Sequence, residues 1–247
     1  HYKMRKSLLK YENAGKLAIK MREEFLKSVR RVKSNGFTSP GIIPSRKNNA
    51  MVDYESTPEK DMAYFLEFSI AVKRFTPQPI EIPYVNLKGK PAKYTPDFLA
   101  FYNTEIEEFK NEKPTVFEVK MRRYLKKDWL DLKNKYVQAM RFCDTKGWRF
   151  KIITEVELNT PYVRNAKFLT PYLRNTPGLG LIENVMDAMH ELEDSATPRD
   201  IINIGATDFY RRAALVPALW YLVAKRIIKC DLTQDLTMQT PLWYIKS

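Results

Sequence analysis

Two carboxylates and a lysine carry the spacing that chemistry would need. Asp97 sits in Tyr94-Thr95-Pro96-Asp97-Phe98-Leu99, and Glu118 in Val116-Phe117-Glu118-Val119-Lys120. Both stretches read as strands, and in each the acid is flanked by apolar residues. A carboxylate in an apolar strand is costly to bury unless its charge is compensated. Two of them side by side repel until one keeps its proton. A divalent cation removes both penalties, and an all-oxygen donor set suits Mg2+ or Mn2+. Lys120 follows Glu118 by two residues, which on a strand puts both on one face. A lysine there can orient a water and stabilise the charge of a phosphorane, while a metal lowers the pKa of water and polarises the phosphate. The set is suited to phosphodiester hydrolysis. Glu59 is a further acid. It lies three and seven residues before Met62 and Leu66, on the buried side of a predicted helix, and is a candidate metal ligand with Asp97 and Glu118.

Plainer readings stand beside these. Asp97 alone could be a strand-edge acid paired with a nearby lysine; the second strand with Glu118 and Lys120 argues against that. Ser56-x-x-Glu59 spells a capping box, in which the glutamate serves its own helix end. Pro58 favours Thr57 as the cap, which would free Glu59. Lys120 could simply extend its stem along a strand end.

The elements that must position these residues follow from pattern. Residues 7–33 read as a basic amphipathic helix, and Gly36–Asn49 as a loop rich in Gly, Pro and Ser. A helix opens near Thr57, with Met62, Phe65, Leu66 and Ile70 as its apolar face. Phe75–Val85 is extended and punctuated by Pro77, Pro79 and Pro83. A turn at Lys88-Gly89-Lys90 leads to a strand over Tyr94–Tyr102. Thr115–Lys120 is a short strand. Leu125–Lys146 is an amphipathic helix, with Trp129, Leu132, Tyr136, Met140 and Phe142 on its apolar side and Gly147 at its end. Arg149–Thr154 is another strand. Beyond a Pro- and Gly-containing stretch at Asn159–Gly180 come helices at Leu181–Glu193, Thr197–Asn203 and Asp208–Lys225. Strands at Ile227–Leu232 and Pro241–Ile245 close the order. Three helices and a hairpin suggest a winged helix. The expected class is α/β: a restriction-endonuclease-like mixed sheet flanked by helices, followed by a C-terminal winged-helix domain. The expected divisions are a basic helical arm and linker at 1–49, an endonuclease domain at 50–165 and a winged helix at 166–247.

Composition sets the partner class. The 247 residues carry 42 Lys and Arg against 29 Asp and Glu, a net charge of +13, which favours a polyanion such as nucleic acid. The excess is uneven: residues 1–47 hold 13 basic and 3 acidic residues, a net of +10. This basic arm, Arg46 and Lys47 included, reads as a DNA-backbone contact or as a solvated helix face. Arg122, Arg123, Lys126 and Lys127 follow the site at once and could grip phosphates or solvate a helix start. Arg211 and Arg212 open the long C-terminal helix, for which DNA contact and protein docking are both open. With only His1 and His190, a histidine zinc site or a Ser-His-Asp triad is all but excluded. Cys143 and Cys230 form no CxxC pair and fit a reducing cytoplasm. No signal peptide is visible, and the longest apolar run, Ala213–Ala224, is too short to span a bilayer.

The runs Tyr54–Glu59, Pro77–Tyr84, Tyr94–Phe98 and Phe117–Lys120, with Pro44-Ser45-Arg46-Lys47 before them, resemble the TnsA family. These are endonuclease subunits of heteromeric bacterial transposons of the Tn-seven group, within the PD-(D/E)xK nuclease superfamily. The resemblance covers roughly residues 40–155. It implies Glu59, Asp97, Glu118 and Lys120 as the active site, although some members carry Gln at the place of Glu118. It implies Mg2+, with Mn2+ also supporting activity, and cleavage of double-stranded DNA at the 5′ ends of a transposon. It further implies a DDE transposase subunit as partner, an AAA+ ATPase regulator, and a place in the bacterial cytoplasm on the nucleoid. A stand-alone restriction or repair nuclease would show the same core. A DNA-binding adaptor would carry the basic arm without needing the four site residues.

Overall fold

A computed structural model describes residues 40–192 and 196–245, so the predicted helix at 7–33 lies outside the described residues. The chain divides into two compact units between Glu155 and Val156.

The first unit opens with an antiparallel hairpin, β1 (Gly41–Ser45) and β2 (Ala50–Tyr54). This corrects the expected loop. Its turn needs a left-handed residue, and Asn49 supplies it at φ 49°; asparagine tolerates that region better than most residues. Helix α1 (Thr57–Phe68) follows, capped by Ser56 rather than Thr57, and buries Met62, Ala63 and Leu66. It ends at Phe68, which leaves Ile70 exposed instead of on the apolar face.

The hairpin turn holds the far end of this helix. Buried Glu67 accepts from Ser45 Oγ at 2.6 Å and from the Arg46 N–H at 2.9 Å. The Lys47 ammonium donates to the carbonyl oxygens of Leu66 (2.9 Å), Val72 (2.5 Å) and Ser69. A cation at a helix C-terminus meets the orphan carbonyls and the negative end of the dipole. Lys47 is therefore occupied inside the fold, which corrects its expected role as a DNA contact.

The central sheet runs β3 (Val72–Pro77), β6 (Phe98–Tyr102), β7 (Thr115–Val119) and β8 (Arg149–Ile153), in that order. Its first two pairings are antiparallel and β7–β8 is parallel, so the sheet is mixed. A parallel pair needs a crossover. Helices α2 (Arg122–Lys127) and α3 (Trp129–Thr145) provide it. They break at Asp128, where one helix was expected. The buried stripe of α3 is Leu132, Tyr136, Ala139 and Cys143, whereas Trp129 and Met140 are exposed. Gly147, at φ 69°, releases the chain into β8. Leu99 and Val116 pack with Cys143 and Phe142 on the α3 side of the sheet. Strand alternation turns Phe75 and Phe98 to the other face, where their rings meet edge to face at 6.1 Å. A separate hairpin, β4 (Ile82–Val85) with β5 (Pro91–Tyr94), adds Ile82 and Tyr94 to a cluster around Tyr136.

The second unit holds α4 (Glu155–Leu158, at the division), α5 (Pro161–Leu169), α6 (Leu179–Glu191), α7 (Pro198–Gly205) and α8 (Phe209–Ala224). Asn165 ties α5 into it. Its amide donates to the carbonyls of Leu232 and Gln234, and its oxygen accepts from the Leu236 N–H. The division thus falls ten residues before the expected boundary at 165. Thr197 caps α7 in a capping box with Asp200, and Asp208 caps α8. The two expected strands reduce to single antiparallel bridges, Lys229 with Trp243 and Ala196 with Leu242. No helix among the described residues is long and apolar enough to cross a membrane.

Candidate active site

β5 ends at Tyr94 and β6 begins at Phe98, so Asp97 stands at the entry to a strand, not within the continuous one expected. Pro96 cannot donate to a ladder, which accounts for the gap. Asp97 nevertheless continues the sheet. Its N–H donates to the Phe117 carbonyl at 3.1 Å, and its Oδ2 accepts from the Val119 N–H at 2.6 Å. The antiparallel register pairs Phe98 with Phe117. One more step sets Asp97 opposite Glu118, on the face that α3 covers.

Glu118 is buried, and its two oxygens take different hydroxyls. Tyr94 donates to Oε2 at 2.5 Å and Tyr136 to Oε1 at 2.9 Å. The Lys135 ammonium lies 3.6 Å from Oε1 and above both tyrosine rings, 4.4 and 4.9 Å from their centroids. Burial raises the pKa of each tyrosine far above the usual phenol range, and the Glu118 charge raises it further. Both hydroxyls therefore stay protonated as donors. Sequence reading treated Tyr136 as apolar surface and passed over Tyr94 and Lys135. The available signal was that a tyrosine on a buried stripe must find a partner for its hydroxyl.

Glu59 does two things. Its Oε2 accepts from the Glu55 N–H and its Oε1 from Ser56 Oγ, both at 2.8 Å, so it serves the helix end, but through the N–H of the residue before the cap and not the cap's own N–H that a capping box would use. Its charge also reaches the site. The Asp97 carboxyl is held well above the ordinary 3.8, first by burial and then by Glu118 and Glu59. The Val119 N–H and Lys120 oppose that rise. Glu59 is raised too, chiefly by burial, with Glu118 among the charges that add to it. Three carboxyls on three elements thus feel one another.

Lys120 follows β7 directly, its N–H bound to the Ile153 carbonyl at 2.9 Å. Among the described residues its ammonium has no hydrogen bond or ion pair, although Asp97 feels its charge. It is a cation beside the carboxyls with its donors uncommitted to the fold.

Gln78 was not anticipated. It joins β3 to β4 in the left-handed region at φ 43°, where a non-glycine residue costs about 1–3 kcal/mol. Its N–H donates to the Asp97 carbonyl at 2.8 Å and its Nε2 to Glu55 Oε1 at 2.9 Å.

The donor set is all oxygen and mutually repelling, which suits a hard divalent cation. Among the described residues no three acidic, histidine or cysteine side chains stand together as a finished cage. Glu59 and Glu118 hold local partners instead, and each carboxylate oxygen keeps a second lone pair for a cation. Of the expected DNA contacts, Arg122, Arg123, Lys126 and Lys127 line the exposed helix α2, immediately after Lys120. Arg46 is exposed at the hairpin turn. Arg211 is exposed and lies 3.4 Å from Asp208, while Arg212 Nε is bound to the Ala206 carbonyl at 3.0 Å.

A mixed sheet flanked by helices, with opposed acids at the mouth of two strands and a lysine two residues on, defines a nuclease-like α/β domain. Residues 69–155 match the family described as TnsA-like endonuclease N terminal, so this part of the chain is similar to that domain. The match includes Gln78, Asp97, Glu118 and Lys120, and Glu59 lies upstream of it. No curated protein matches the chain.

Proposed function

We propose that the chain is a Mg2+-dependent DNA endonuclease subunit of a transposase, cutting at the 5′ ends of a transposon. The observation that carries this is Asp97 opposite Glu118, with Lys120 uncommitted beside them, inside a TnsA-like domain. Asp97, Glu118 and Glu59 would hold the cation. A bound Mg2+ or Mn2+ supplies Lewis acidity and a more acidic water. Tyr94 and Tyr136 hold the Glu118 carboxylate in place through their two hydroxyls. Lys120 places positive charge where the phosphate becomes more negative. The exposed basic face of α2 continues from the site and would follow the DNA backbone without reading sequence.

The second unit fits a winged helix. Support comes from the order α6, α7 and α8, the three-residue turn Ala206–Asp208, and the Lys229–Trp243 bridge where a wing would begin. In this reading it docks on DNA or on the partner subunits, a DDE transposase and an AAA+ regulator.

The test is cleavage of transposon-end DNA by the full chain with Mg2+, with and without a candidate transposase. Wild type cuts, and Asp97→Ala and Lys120→Ala lose about 100-fold or more in rate while staying folded. Wild-type cleavage by either variant would reject the site. Cutting without any partner would favour a self-sufficient nuclease.

A further inference from the structure

Gln78 carries two penalties at one position. Its backbone is left-handed, and its Oε1 is buried with no hydrogen-bond partner in a residue only 8% exposed. Buried acceptors are nearly always paired, so an orphan calls for a cause. Turning the amide over would not cure it, because Oε1 would then face the Glu55 carboxylate oxygen that Nε2 now serves. The surroundings supply the cause. The backbone N–H of Gln78 is bound to Asp97, and its amide reaches Glu55, whose own N–H is bound to Glu59. The unpartnered oxygen therefore belongs to the same small region as two of the acids. Pro77 and Pro79 stiffen the chain on either side.

We propose that Gln78 Oε1 is a fourth oxygen donor to the divalent cation of this site, directly or through one water, with Glu55 fixing the amide so that the oxygen faces the cation. This rests on the metal-dependent nuclease reading. A neutral carbonyl adds a ligand without adding charge to a cluster already crowded with carboxyls.

The experiment is Mn2+ titration of the full chain by calorimetry, without DNA, beside thermal unfolding without metal. The proteins are wild type, Asp97→Ala, Gln78→Gly and the double variant Gln78→Glu with Glu55→Gln. Glycine suits the left-handed backbone and removes the oxygen; the double variant keeps an oxygen at the same reach and restores the hydrogen bond of Gln78 with position 55 in the reverse sense. The expected result is Mn2+ binding weakened about tenfold or more by Gln78→Gly and kept within threefold, or tightened, by the double variant. If Gln78→Gly does not fold, Gln78→Asn, which tolerates the same backbone and falls one methylene short, takes its place with the same expectation. Wild-type affinity in the Gly or Asn variant overturns the proposal, and so does equal weakening by Gln78→Gly and by the double variant, which keeps both the oxygen and the hydrogen bond. Those outcomes leave the nuclease reading standing as long as Asp97→Ala loses Mn2+. No binding by wild type overturns both.

Discussion

The Tyr94 hydroxyl donates to Oε2 of Glu118 at 2.5 Å, while Tyr136 serves the other oxygen of the same carboxylate. One site acid is thus held between two aromatic donors from β5 and α3, elements outside the strand that carries it. Tyr94→Phe leaves a buried carboxylate oxygen without that donor and should cost about 1–3 kcal/mol. Urea unfolding checks this. In a Glu118→Gln background the loss should be clearly smaller; equal losses would show that the ring, not the hydroxyl, is what matters.

Asp97 and Glu59 are raised above their ordinary values of 3.8 and 4.5. Between those values and the raised ones the folded chain binds more protons than the unfolded chain. Stability from these groups therefore falls as pH rises through that window, and the full penalty is present only above the raised values. Asp97→Asn keeps an oxygen for the Val119 N–H and removes the charge. It should stabilise the apo fold by about 0.5–2 kcal/mol at pH 7, with the gain vanishing below the ordinary aspartate value. Mg2+ should raise the melting temperature of wild type and leave the variant unmoved. A variant less stable than wild type at pH 7 would contradict this account.

Lys47 predicts an effect on stability and none on DNA binding. Lys47→Met leaves the carbonyls of Leu66, Ser69 and Val72 without their donor and should cost about 1.5–3 kcal/mol. Burial brings the Lys47 ammonium down to about 8 from 10.5, despite the pull of Glu67. The unfolded chain holds more protons between those values, so the lysine's contribution to stability grows as pH rises from 8 to 10.5. Denaturation of wild type and variant across that range should show the rise in the difference between them. DNA affinity should keep the same salt dependence in both.

The basic face of α2 predicts the opposite. Lys126→Ala and Lys127→Ala should leave the unfolding midpoint nearly unchanged and each flatten the plot of log affinity against log salt by about 0.9. Unchanged slopes would remove α2 from the DNA path.

The candidate site was more legible than the scaffold. Asp97, Glu118 and Lys120 declared themselves through charged residues in apolar strands and a two-residue spacing, both local signals. Thr197-Pro198 and Asp208 marked helix starts because caps are also local. The β1–β2 hairpin was hidden because Ser45–Asn49 has the composition of a loop and its tight turn depends on one left-handed asparagine. The roles of Lys47 and Glu67 depend on contacts across about 20 residues of chain, which no pattern announces. Ser56 and Thr57 were both acceptable caps, and only backbone geometry separates them. The strain at Gln78 leaves no trace in composition at all.

The clamp of Lys47 on the last turn of α1 has a consequence for how this helix can vary. Glu59 is carried by the first turn of the same helix, so its position is set from the pinned end, along a rod of 12 residues, about 18 Å long. A deletion of one residue anywhere between would turn Glu59 by about 100° and withdraw it by about 1.5 Å, with both ends still chemically intact. Even the solvent-facing positions of α1 are therefore free in identity and fixed in number: drift in side chains is tolerated there, and insertions or losses are not.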